Sequence, residues 1–138
     1  MPIKTESFLK TASIKRSVQE DDGIRISVMS RHTLTDGVTP DPDITEASFD
    51  LWWPELAPPP RLIGSYYRYE LSWEDFEDGF RRHLETPEAQ QFLRWLIALA
   101  ERTTVTILCV EATPERCHRR LIAEACRKME PSLRIIIA

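Results

Sequence analysis

The chain has 138 residues, which suits one domain and leaves little room for two. Hydrophobic residues supply 42%, enough for a core, and 18 basic against 22 acidic side chains give a formal charge of −4, which excludes a globally basic nucleic-acid coat protein. No apolar run approaches the ~18 residues of a membrane span, and MPIKTESFLKTASIKR lacks the apolar block of a secretory signal, so the expected address is the cytoplasm, with no membrane partner.

Phe8 to Arg16 reads as an opening strand, with Phe8, Ala12 and Ile14 apolar. Asp21-Asp22-Gly23 is a turn. Ile24 to Met29 then places Ile24, Ile26 and Val28 on one face, the period of two that marks a strand. Residues 31–48 read as a mobile loop with turn chemistry from Gly37, Pro40 and Pro42. Six carboxylates lie between Asp36 and Glu55 with no Lys or Arg among them. Such a cluster is the donor type of a divalent cation site, but the commoner reading is a solvated loop. The aromatic segment Phe49 to Trp53 follows. Pro54 and Pro58-Pro59-Pro60 limit any helix there.

Ser72 is an N-cap with Asp75 three residues on, and Phe76, Phe80 and Leu84 recur at spacing four, predicting a helix over 73–84. Thr86-Pro87-Glu88 starts a second helix over 87–102, with Phe92, Leu93, Leu96, Ile97 and Ala100 as its apolar stripe. Residues 104–110 are β-branched and nearly continuous in apolarity, as in a strand buried on both faces. Thr113-Pro114 starts a helix over 114–129 that includes Cys117, Leu121, Ile122 and Cys126, and Pro131 ends it. Residues 133–137 read as another buried strand. Strand, helix and strand at this length form a βαβ unit. The expectation is an α/β domain over residues 1–138, a three-layer fold with a mostly parallel sheet that holds strands 24–29, 104–110 and 133–137.

In open α/β sheets ligands bind outside the carboxyl ends of the strands. Here that place is the run from Cys109 to Arg120. The strand delivers Glu111 to the rim, and the helix start offers unsatisfied amides and a positive dipole end. Residues 113–128 carry five basic side chains against Glu115 and Glu124, a local charge of +3 in an acidic protein. A basic helix start beside a strand end suits an anion. Glu111, Cys117 and His118 are therefore the candidate catalytic residues. Arg119, Arg120, Arg31, His32, Trp52 and Trp53 are the candidate ligand-binding ones. Cys117 has three readings: a buried structural thiol, a reactive or ligand-contacting thiol stabilised by arginines and the helix start, and a metal ligand. Adjacent residues on a helix diverge by about 100°, which keeps Cys117 and His118 from pairing as nucleophile and base. Cys109 and Cys126 read as core. The cysteine spacings of 8 and 9 include no CxxC pair, which argues against a zinc site and a thioredoxin-type site. The segment after Cys117 has no Gly, unlike a phosphatase or rhodanese loop. With four glycines in the chain, GxGxxG and the phosphate-binding lysine loop are absent too. No metal and no cofactor follow from the residues.

Trp52, Trp53, Tyr66, Tyr67, Tyr69 and Trp73 crowd six large rings into 22 residues. They suit packing under the long loop, a dimer interface, or stacking against a ligand.

The segment ILCVEATPERCHRRLIAEA resembles the domain-of-unknown-function 488 family: a hydrophobic strand, Leu108-Cys109-Val110-Glu111, a turn with Pro114, and Cys117-His118-Arg119 opening a helix. Ile14-Lys15-Arg16, Asp22 to Val28, Asp50 to Pro58, and a helix with Trp73 and Phe76 are similar in order to its YeaO-like branch. That branch continues its second strand into Arg-Leu-Trp-Pro-Arg-Gly. This chain has Met29-Ser30-Arg31-His32-Thr33-Leu34 instead, keeping Arg31 but lacking the Trp-Pro-Arg core. The resemblance implies a small α/β fold and brings no established activity. The first functional expectation is thus a protein that binds or acts on an anionic small molecule or nucleotide around Glu111 and Cys117–Arg120. The alternatives are a nucleic-acid-associated protein, disfavoured by the net charge, and an interaction module or homodimer that uses segment 52–73.

Overall fold

The computed structural model describes residues 7–34, 36–68 and 70–138. Tyr69 of the aromatic group, Thr35 of the long loop and the first six residues of the N-terminal segment lie outside the described residues. Five strands form one parallel sheet: β1 (Leu9–Ser13), β2 (Ile24–Ser27), β3 (Leu51–Trp52), β4 (Val105–Cys109) and β5 (Ile135–Ile136). Their order across the sheet is β3-β2-β4-β1-β5. Central β4 pairs with β1 through Thr11 opposite Ile107, and with β2 through Ile26 opposite Ile107.

Alternation along the strands puts Leu9, Ile26, Val105 and Ile107 on one face. There they pack with Phe80 of α2 (Trp73–Leu84), Leu93 and Leu96 of α3 (Pro87–Arg102), and Leu121 and Ile122 of α4 (His118–Met129). Ala12, Ile14, Met29 and Leu108 form a second cluster with Ile44 of the long loop and Phe49 just after it. The class is α/β as expected. The layer opposite the helices is built from loop and short 3-10 turns, at Glu20–Asp22 and Glu46–Ser48.

The two helices with complete start signals span the expected residues. Ser72 Oγ accepts from the Asp75 amide (3.1 Å), and Thr86 Oγ1 from the Ala89 amide (3.4 Å). Elsewhere the boundaries move. The triple proline starts a helix instead of preventing one: Pro60 is the first residue of α1 (Pro60–Tyr67), where a missing amide hydrogen costs nothing. Segment 49–53 contains the edge strand β3, held by pairing with β2. The last strand is short and lies at the other edge, with Ile136 43% exposed, because β1 pairs with it on one side alone. The helix expected from residue 114 begins at His118, with Cys117 as its N-cap. Side chains explain the delay. Arg119 Nη1 donates to the Glu111 carbonyl (2.7 Å), and Arg120 donates to those of Pro114 (3.2 Å) and Glu115 (3.0 Å), so the turn's carbonyls are already satisfied.

Candidate functional site

Cys109 is the last residue of β4, and the five residues after Val110-Glu111 fold back so that Cys117 and His118 open α4 beside it. A spacing of eight in sequence becomes contact in space. The sulfurs of Cys109 and Cys117 and a ring nitrogen of His118 all lie within 4.8 Å of one another, and all three residues are buried. The missing CxxC pair does not keep these donors apart, because a strand end and the next helix start are neighbours whatever the residue count between them.

His118 Nε2 lies 2.8 Å from the Val28 carbonyl, which can only accept, so Nε2 carries the hydrogen. Nδ1 is left as an acceptor facing Cys109 Sγ at 3.3 Å. Burial pushes the imidazole down to about 4, and the Arg119 charge adds to this, so the ring is neutral at pH 7. Burial also pushes the two thiols up. For Cys109 it prevails, reinforced by Cys117. For Cys117 it is outweighed by the Cys109 thiol and by Arg119, whose Nη1 is 3.3 Å from Cys117 Sγ, so this thiol lies below its ordinary range. Arg119 is fully buried; its Nε donates to the Ala138 carbonyl, and its Nη2 has no partner among the described residues.

These three residues floor a cavity of about 410 Å3, within the range of small-molecule sites. Its wall is aromatic, from Tyr66 and Tyr67 of α1 and Trp73 and Phe76 of α2. Tyr66 contacts the rings of both Trp73 (5.8 Å) and Phe76 (5.0 Å). Lys15, Arg31 and Arg116 bring positive charge, and Glu111 and Asp41 negative charge. Lys15 is bound to Asp41 (3.2 Å), whereas Arg31 and Arg116 make no ion pair among the described residues. The Tyr67 hydroxyl donates to Glu111 Oε1 (3.4 Å); partial burial and then the Glu111 charge push this phenol far up, so it stays protonated.

Of the residues singled out in the sequence, Glu111, Cys117, His118 and Arg31 meet at this cavity. Arg119 lies beneath it, against Cys117. Arg120 turns away, ties α4 to α2 through Glu77 (3.1 Å), and pairs with Glu124 one turn along α4 (2.8 Å). His32 hydrogen-bonds Ser27 Oγ (2.7 Å) and packs between Phe49 and Trp52, and burial lowers its pKa. Trp52 donates to the Met29 carbonyl (2.6 Å), and Trp53 meets Phe92 of α3 edge-on. None of these last four residues lines the cavity. Cys109, Arg116 and Lys15 do, and sequence reasoning did not assign them to the site. Cys109 and Lys15 lie at or just past the carboxyl ends of β4 and β1, the position that could have flagged both.

A family model described as the active DUF488-N3 subclade matches residues 9–130, and the chain belongs to that family. No curated protein and no solved structure matches the chain.

Proposed function

We propose, with membership of that family as the premise, that the chain binds and acts on a small molecule joining a planar ring to an anionic group, a mononucleotide in type. The observation that carries this reading is the composition of one cavity. Aromatic faces form its wall, two arginines free of ion pairs among the described residues reach its rim, and thiols, an imidazole and a carboxylate form its floor. Tyr66, Tyr67, Trp73 and Phe76 would take the ring by stacking, and Arg31 and Arg116 the anion. A floor of Cys117 and Glu111 supports a reaction rather than binding alone, in line with the family's description as active. Against a nucleic-acid strand, the cavity's cations Lys15, Arg31 and Arg116 share its lining with Asp41 and Glu111, and phosphate tracking needs a contiguous basic surface.

The test is a binding screen by calorimetry and thermal shift with nucleoside monophosphates, the matching nucleosides and inorganic phosphate. At least one monophosphate should bind more tightly than its nucleoside and than phosphate. Arg31→Ala and Arg116→Ala should each weaken it about tenfold, ~1.4 kcal/mol. Binding of no monophosphate, or binding that both variants leave intact, overturns the reading.

A further inference from the structure

We infer that Cys109, Cys117 and His118 form a three-ligand zinc site whose fourth coordination position opens to the cavity. The inference goes beyond the ligand reading and stands whatever molecule the cavity takes. It rests on donor chemistry, spacing and ring orientation.

Two thiolates and an imidazole are the soft-to-borderline donor set that zinc takes, and three protein ligands with one open position is the pattern of catalytic zinc. A tetrahedral ion with Zn–S of ~2.3 Å and Zn–N of ~2.05 Å separates sulfur from sulfur by ~3.8 Å and sulfur from nitrogen by ~3.5 Å. Here the three donor atoms lie within 4.8 Å of one another, and Cys109 Sγ is 3.3 Å from His118 Nδ1. Side-chain movements of no more than about 1 Å would bring them to the ion.

The imidazole is already set for ligation. The Val28 carbonyl holds the hydrogen on Nε2, so Nδ1 is left with its lone pair free and faces Cys109 Sγ. A backbone carbonyl on the far nitrogen is the usual outer partner of a ligating histidine. Two thiolates neutralise a divalent ion, and Arg119 Nη1, 3.3 Å from Cys117 Sγ, is an outer donor that stabilises that sulfur as an anion. All three ligands line the cavity, so the remaining position faces it, in reach of water or a ligand atom.

The reduced full-length chain, stripped with chelator, should be titrated with Zn2+ against a chromophoric competitor and with Co2+ by absorption, in the absence of any nucleotide. Expected are one ion per chain, a thiolate-to-cobalt charge-transfer band and tetrahedral d–d bands. Cys109→Ser and Cys117→Ser should each weaken zinc by more than the ~10–100-fold typical of losing an outer partner. Cys126→Ser should match the parent. Should a variant fail to fold, the unsubstituted chain still decides: bound zinc must slow alkylation of both Cys109 and Cys117. The inference is overturned by the absence of stoichiometric uptake, by an octahedral cobalt spectrum, by affinity that survives loss of either cysteine in a folded variant, or by alkylation that zinc leaves unchanged. Because no nucleotide is present, failure here leaves the ligand reading untouched, and failure of the ligand screen leaves this one.

Discussion

Asp22 is the side chain on which the start of β2 depends. It is fully buried, and its carboxylate accepts from Arg25 Nη1 (2.6 Å), Arg16 Nη2 (2.7 Å) and the Gln19 amide (2.9 Å). Its own carbonyl accepts from Thr106 Oγ1 (2.7 Å) of β4. Burial raises the carboxyl, but the Gln19 amide and the two guanidinium groups outweigh it, so the group lies below its ordinary 3.8. A lowered folded-state pKa contributes stability that is present above the unfolded value and lost as pH falls through the folded one. Asp22→Asn leaves Arg25, 3% exposed, with no counter-charge, and should cost about 3–5 kcal/mol in urea unfolding at pH 7. The variant should also lose part of the parent's stability change below about pH 4, near the reference value of the carboxyl. Asp21-Asp22-Gly23 was legible as a turn. The burial of Asp22 was not, because its partners Arg16 and Arg25 read individually as solvent-facing cations in two different segments.

Elements whose signals are local were legible almost to the residue, and those set by distant partners were not. Helices α2 and α3 carry a hydroxyl cap, acid in the first turn and a period of 3.6 within their own sequence. Ser72→Ala should therefore lower stability by about 1 kcal/mol, read from the urea midpoint with an unchanged slope. Gly23 has φ +65, and a Cβ there would lie 1.9 Å from the Thr104 carbonyl oxygen. Gly23→Ala adds backbone strain and a clash, each worth ~1–3 kcal/mol, so it should cost more than the cap. By contrast, β3 exists because Leu51 and Trp52 pair with Ile26 and Ser27 about 25 residues earlier in the chain. The start of α4 is set by Arg119 and Arg120 reaching back to the carbonyls before it. Neither cause leaves a local periodicity.

At the scale of the whole molecule, strand order builds the site. β4 lies between β2 and β1, so its carboxyl end sits among theirs, and the turn after it must start α4 there. That rule made Glu111, Cys117 and His118 legible as neighbours. It did not reveal Cys109, whose apolar strand context masked its terminal position, nor that Arg120, His32 and Trp53 face other partners. The closure of α1 and α2 over the strand ends, which turns an open crevice into a cavity, depends on a helix that the prolines concealed. In the function proposed above, this cavity opens onto the cysteine pair and takes an anionic ring compound. Timed alkylation of the metal-free, reduced chain by iodoacetamide, with each cysteine followed by peptide mass, tests it most directly. Cys117 should label through the cavity in the native state well ahead of Cys109, whose thiol burial keeps protonated, Cys126 should label only on unfolding, and a bound nucleoside monophosphate should slow Cys117. Labelling of all three at the common rate of global unfolding, unaffected by any monophosphate, would overturn that function.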